Sequence, residues 1–170
     1  MDGLTVLQIV GFKDSGKTTL MLELIRQAAA SGKTVAAVKH HGHPEPLDMP
    51  PATTDSMRFF NGGAAASVVF GNGVIQQHVQ KKEATVEELV AMAATADTDF
   101  IFIEGFKDAP YEKIVLIRSD SDWEKLKSLS RIALVIAHEG VSAANGAVIG
   151  RNETDRIAGW FADWIERKST

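Results

Sequence analysis

The stretch Gly11-Phe12-Lys13-Asp14-Ser15-Gly16-Lys17-Thr18 constrains this chain more than any other. It matches the pattern G-x-x-x-x-G-K-[ST] at every fixed position, a coincidence expected in roughly one sequence of this length in a few hundred at average residue frequencies. Just before it, Leu4–Val10 is apolar at five of seven positions, as in a strand buried on both faces. Just after it, Thr18–Ala30 sets Leu20, Leu24 and Ala28 on one helical stripe, with Met21 and Ile25 beside them. A glycine-rich turn between a strand and a helix is the context in which this pattern is a phosphate cradle, or P-loop (Walker A motif). Gly11 and Gly16 let the chain wrap with its N–H groups pointing inward. The helix starting near Lys17 adds its positive end to the same point. Lys17 is placed to reach the β- and γ-phosphates, and the Thr18 hydroxyl to ligate Mg²⁺. The candidate phosphate-binding residues are Gly11, Lys13, Asp14, Ser15, Gly16, Lys17, Thr18 and Thr19, with Lys17 also a catalytic candidate. The side chain of Lys13 is one place away from where a lysine that crosses to a dimer partner would stand, and it reads as a solvated charge.

The rest of the pattern repeats strand and helix. Thr34–Val38 is a second β-branched strand, and strand, helix, strand within about 35 residues makes a βαβ unit, implying a parallel pair with a right-handed crossover. Between His40 and Thr54 the periodicity dissolves into Gly42, Pro44, Pro46, Pro50 and Pro51, a loop long enough to carry function. Asp55–Asn61 reads as a short helix closed by Gly62-Gly63. Ala65–Phe70 and Val74–Val79 flank Gly71-Asn72-Gly73, a three-residue loop that predicts a β-hairpin. Thr85–Ala96 is a helix with Thr85 as N-cap, Phe100–Ile103 and Ile114–Ile117 are short buried strands, Asp122–Leu129 a helix and Ile132–Ala137 a strand. Ile157, Trp160, Phe161, Trp164 and Ile165 make Asp155–Arg167 an amphipathic helix docked on the core. The expectation is one α/β domain over residues 1–170: a three-layer P-loop NTPase fold with a mostly parallel sheet and an additional β-hairpin.

Charge narrows the partners. Lys and Arg total 18 against 22 Asp and Glu, a formal charge of -4, so a broad nucleic-acid-binding face is disfavoured while a single phosphate pocket is not. The longest apolar runs are about five or six residues, far short of the ~20 that span a bilayer. Met1-Asp2-Gly3-Leu4 lacks the basic start of a signal peptide, and there are no cysteines, so a soluble cytoplasmic protein is expected.

Mg²⁺ on a triphosphate calls for an acidic group at the carboxyl end of a strand near the cradle. Glu104, after the apolar run Phe100–Ile103, is that candidate, for catalysis and for the metal; Asp99 starts the same strand and belongs at the opposite edge. Asp48 and Asp55 follow the second strand, which lies near the cradle if the two strands are neighbours, and Asp55 also reads as a helix start. His40, His41 and His43 could ligate a transition metal or pair with phosphate, while His78 and His138 read as isolated structural or surface residues. No arginine finger or glutamine is evident near the cradle, so hydrolysis should be slow. The residues alone leave three functions open: a slow NTPase of accessory type, a small-molecule kinase (for which Arg58, Arg118 and Arg131 look too scattered to make a lid), and a metal chaperone switched by nucleotide.

Taken in order, the P-loop, Val38-Lys39-His40-His41-Gly42-His43, Asp55-Ser56-Met57-Arg58, Gly62-Gly63-Ala64 and Ile103-Glu104-Gly105-Phe106-Lys107 resemble the molybdopterin-guanine dinucleotide biosynthesis protein B family, from residue 7 to about 118. The resemblance implies a dimeric, weakly hydrolysing GTP-binding protein of the cytoplasm, assisting the guanylyltransferase that attaches GMP to molybdopterin. It implies GTP and Mg²⁺ as cofactors, with Gly16, Lys17 and Thr18 on the phosphates and metal, and Asp55 and Glu104 as the acidic groups near the metal. Thr53 and Thr54 stand where members of that family often carry Gly-Lys. The usual guanine reader Asn-Lys-x-Asp is absent, so guanine preference comes from the resemblance, and the residues themselves fit ATP and GTP equally.

Overall fold

The computed structural model of the chain describes residues 4–42, 45–142 and 148–169. Its principal unit comprises residues 1–40 and 86–170, and residues 41–85 form a second compact unit inserted between them. In the principal unit six strands make one parallel sheet: β1 (Thr5–Gly11), β2 (Val35–Lys39), β5 (Phe100–Glu104), β6 (Glu112–Ile117), β7 (Ile132–Ala137) and β8 (Val148–Gly150), in the order β2-β5-β1-β6-β7-β8. Helices α1 (Lys17–Ala30) and α5 (Thr154–Lys168) cover one face, and α3 (Val86–Ala93) and α4 (Asp120–Leu126) the other. This is the expected three-layer α/β arrangement.

Alternation along the strands builds two cores from one sheet. Leu7 and Ile9, Phe100 and Phe102, Ile114 and Leu116, Leu134 and Ile136 face α1 and α5, meeting Leu20, Leu24, Phe161 and Trp164. Phe102 packs edge-on to Phe161 with ring centroids 5.7 Å apart, and Phe161 stacks on Trp164 at the same separation. On the opposite face Val10, Val115, Ile117 and Val135 pack on Trp123 and Leu126, and Val38, Ile101 and Ile103 on Val86 and Val90. Strands buried on both faces need continuous apolar runs, which is why each was legible as a strand.

Two expectations about this unit need correction, and one strand was unforeseen. β1 and β2 are not a bonded pair: β5 lies between them, paired in parallel with both. A βαβ pattern fixes that the two strands are parallel and leaves room for another between them. β8 was unforeseen, because three residues ending in a glycine carry no periodicity. α4 begins at Asp120 rather than Asp122, since Ser119 is the cap: its hydroxyl oxygen accepts the Asp122 N–H at 3.2 Å.

In the inserted unit, α2 (Asp55–Asn61) precedes β3 (Ala66–Gly71) and β4 (Val74–Val79), an antiparallel pair. The register joins Gly71 to Val74, so the turn has two residues rather than three. Asn72 (φ 48°) and Gly73 (φ 79°) both take positive φ, the type I′ preference that Asn-Gly satisfies.

Lys113 is the anomaly of the core: an ammonium with no solvent exposure in the middle of the sheet. Its Nζ donates to the carbonyls of Ala109, Tyr111 and Ser130 at 2.9, 2.8 and 2.7 Å, which binds the loop before β6 to the chain entering β7. Burial pushes its pKa down, Arg131 adds to that, and Asp108 opposes it. Lys113→Met would strand three acceptors, and at about 1–3 kcal/mol for a buried group left unpaired it is expected to lower the denaturant midpoint clearly, without changing the slope of the unfolding curve.

Candidate functional site

Parallel register decides where the site is. Ile9, Glu104 and Lys39 stand in one row across β1, β5 and β2, at the carboxyl end of each strand. The chain leaves β1 at Gly11 and turns through Asp14 (φ 59°) and Gly16 (φ 88°) into α1. Gly11 has no room for a side chain, since a Cβ there would sit 2.5 Å from Ser15 Oγ and 2.9 Å from the Leu116 carbonyl. α1 opens without a side-chain cap or an acidic residue in its first turn, so its leading N–H groups and its positive end face outward at the loop.

Glu104 is buried, and two groups satisfy it there. Its Oε2 accepts the Thr18 hydroxyl at 2.9 Å and its Oε1 lies 3.2 Å from Lys39 Nζ. Lys17 Nζ donates to the Phe12 carbonyl across its own loop at 2.7 Å. Desolvation lowers the Lys17 pKa, Glu104 opposes that, and the nearby Lys107 and Lys39 depress it further. Lys107 also lies 4.0 Å from the Phe12 ring centroid, with Lys125 at 5.6 Å. Around one carboxylate the fold therefore gathers several ammonium groups, an excess of positive charge suited to a polyanion.

The loop after β5 is held with comparable care. Gly105 (φ 95°) and Phe106 (φ 50°) both take left-handed backbone, and a Cβ on Gly105 would lie 2.8 Å from His40 Cβ. Gln8, fully buried in β1, donates from Nε2 to the Gly105 carbonyl at 2.6 Å and to the Phe106 carbonyl. The His40 N–H donates to the Glu104 carbonyl at 2.9 Å and its ring packs 4.7 Å from that of Phe106. Lys39-His40 and Glu104-Gly105-Phe106-Lys107, far apart in sequence, are thus one piece of structure.

The expected residues fall out as follows. Gly11 through Thr19 lie on the loop and first turn of α1, with Lys13, Asp14, Thr18 and Thr19 exposed and Ser15 buried. Glu104 meets Thr18 directly, and Asp99 sits at the far edge, taking the Thr34 N–H at 2.7 Å. Asp55 and Asp48 belong to the inserted unit, where Asp55 pairs with Arg58 at 3.4 Å and Asp48 is exposed. His40 and His41 fall in different units, His43 lies outside the described residues, and no group of three His, Asp or Glu able to hold a metal occurs among the described residues. His78 packs near Phe60. Arg118 pairs with Asp122, and Arg131 donates to the Pro110 carbonyl.

Sequence reasoning missed Lys39 and Lys107 as members of the charge cluster, and it missed Arg151. An arginine does stand beside the cradle: Arg151 Nε is 3.7 Å from where a Cβ on Gly16 would be. Nothing in the local sequence signals this, because β8, which delivers Arg151, carries no pattern of its own. Lys39 and Lys107 were findable, since each adjoins a quoted motif.

The parallel sheet, with its glycine-rich turn between β1 and α1, is the α/β fold of P-loop NTPases. The family model for molybdopterin guanine dinucleotide synthesis protein B matches residues 6–138, and the chain belongs to that family. A probable molybdopterin-guanine dinucleotide biosynthesis adapter protein of Bacillus subtilis (strain 168) is 33% identical over 130 residues, 76% of this chain and 75% of that protein. The adapter protein of Escherichia coli (strain K12) is 26% identical over 99% of both chains. Among solved structures, a MobB homologue from Bacillus stearothermophilus superposes with a TM-score of 0.78 at 31% identity, covering 95% of this chain and 98% of that one.

The depressed Lys17 pKa has a consequence for anion binding. The ammonium is the form that holds a phosphate, and it is lost as pH rises through a value below the ordinary lysine range. Affinity for inorganic tripolyphosphate is therefore expected to fall at alkaline pH earlier than an exposed lysine would allow, and Lys17→Arg should flatten that limb in a calorimetric titration series.

Proposed function

We propose that this protein is a GTP-binding adapter in the assembly of the molybdenum cofactor, acting in the cytoplasm with the guanylyltransferase that joins GMP to molybdopterin. The observation that carries the reading is the meeting of Thr18 and Glu104 at the mouth of a P-loop, in a chain of this family. The relatives' description as adapter proteins of molybdopterin-guanine dinucleotide biosynthesis supports the choice of pathway and of partner. No helix among the described residues is long and apolar enough to cross a membrane.

A hydroxyl and a carboxylate 2.9 Å apart are hard oxygen donors that suit Mg²⁺, with phosphate oxygens and water completing its shell. Thr18 and Glu104 would hold the ion, which when bound neutralises charge on the phosphates. Asp55 is carried as a further acidic candidate by the resemblance of its motif alone. The loop amides and Lys17 bind the β- and γ-phosphates, Lys17 leaving the Phe12 carbonyl to do so, while Lys39 and Lys107 add positive charge at the rim. Arg151, the arginine beside the loop among the described residues, is already paired with Glu23 and so is not a free finger. Hydrolysis should then run at or below about 10⁻³ per second, the order of such a site without an arginine finger.

Binding of GTP should be lost in Lys17→Ala. Glu104→Gln should keep GTP affinity in EDTA and lose the gain that Mg²⁺ gives the wild type, as read by titration calorimetry. Wild-type protein that ignores GTP with Mg²⁺ present would sink the proposal.

The same reading includes a homodimer. The hairpin exposes Val68, Phe70, Val74 and Ile75 at 62–72% of their surface, a concentration of apolar area that isolated chains seldom leave to water. The outer edges of a two-stranded sheet also leave backbone groups to pair. Phe70→Ser combined with Ile75→Thr is expected to shift the sedimentation mass from two chains to one at micromolar concentration, with the GTP site intact.

A further inference from the structure

The P-loop rim opposite Glu104 is occupied by a residue outside every phosphate-binding motif. Strand order sets β5, with Glu104, on one side of β1, and β6, β7 and β8 on the other. Arg151 follows β8 directly, and its N–H donates to the Ala137 carbonyl at 2.8 Å, which holds it level with the end of β7. From there the side chain runs to the loop, with Nε 3.7 Å from the place of a Cβ on Gly16. Its two terminal nitrogens both donate to the Glu23 carboxylate on α1, at 3.3 and 3.4 Å. With Nε beside Gly16 and the two terminal nitrogens on Glu23, the guanidinium is fixed in its plane, and 19% of the side chain is still open to solvent.

The phosphate and metal chemistry is already provided on the β5 side by Lys17, Thr18, Lys39, Glu104 and Lys107. A nucleotide with its β-phosphate in the loop and its metal-bearing end at Thr18 and Glu104 must run its other end away from β5, toward β6, β7 and β8. Arg151 waits on that path. Paired with Glu23, it brings little net charge to a phosphate, but its flat and weakly hydrated face remains suited to lie against an aromatic ring.

We propose that Arg151 is the nucleoside-side contact of this site: a guanidinium plate, held in plane by Glu23, on which the purine ring stacks. The assignment rests on the nucleotide reading above and extends it to the half of the ligand that no motif in the chain addresses.

Titration calorimetry of the full chain with Mg²⁺ against GTP, GDP and inorganic tripolyphosphate separates the possibilities. Arg151→Ala should weaken GTP and GDP alike, by about 10-fold or more given what one stacked base contributes, and leave tripolyphosphate within about twofold of wild type. Arg151→Gln, which keeps much of the stem and removes the plate, should show the same split and decides the matter if Arg151→Ala does not fold. Equal losses for GTP and tripolyphosphate would make Arg151 a phosphate ligand and overturn the proposal, as would an unchanged GTP affinity. Wild-type protein that binds tripolyphosphate but no nucleotide, or neither, would instead bring down the nucleotide reading beneath it.

Discussion

The alignment of three parallel strands at their carboxyl ends is the constraint from which the rest of this site follows. Because β5 pairs with β1 on one side and β2 on the other, Ile9, Glu104 and Lys39 share a row, and the loop springs from β1 two residues past that row. A carboxylate at this depth is tolerable only with partners, and the arrangement supplies two, a hydroxyl from α1 and an ammonium from β2. Moving β5 along by one residue would turn Glu104 to the other face of the sheet and leave Thr18 without an acceptor. The unusual backbone that follows, left-handed at both Gly105 and Phe106, is held by the buried amide of Gln8 on the neighbouring strand.

Electrostatics then gives the site its character. Desolvation lowers the Lys17 pKa first, and Lys107 and Lys39 lie near enough to depress it further, with Glu104 as counterweight. Such a cluster costs free energy in the free protein, and a polyanion relieves that cost by pairing with the ammonium groups. The hydrogen bond from Lys17 to the Phe12 carbonyl holds the ammonium on a neutral acceptor inside its own loop. Preorganised amides at the start of α1, facing outward without a cap, complete a surface ready for phosphate.

The two compact units divide the labour. The principal unit builds its sheet, cores and loop from residues on both sides of the insertion, so the inserted 41–85 segment interrupts the sequence between β2 and α3 without supplying a strand to the sheet. The inserted unit buries little of its hairpin, and the exposed Phe70 and Ile75, directly paired across the two strands, are its most conspicuous apolar surface.

Much of this was readable from the order of residues alone, and for physical reasons. The cradle is a local object: Gly11, Gly16, Lys17 and Thr18 act within eight consecutive residues, so their spacing carries their geometry. Doubly buried strands announce themselves as apolar runs, and Glu104 was legible because a carboxylate closing such a run marks the carboxyl end of the strand. Strand order was beyond reach, since hydrogen bonding between β1 and β5 depends on which neighbour packs best and not on chain proximity. The same holds for Lys39, brought to Glu104 by pairing across 65 residues, and for Arg151, delivered to Gly16 by a three-residue strand with no periodicity. Local spacing determined what the loop can hold; long-range register alone decided which charges surround it.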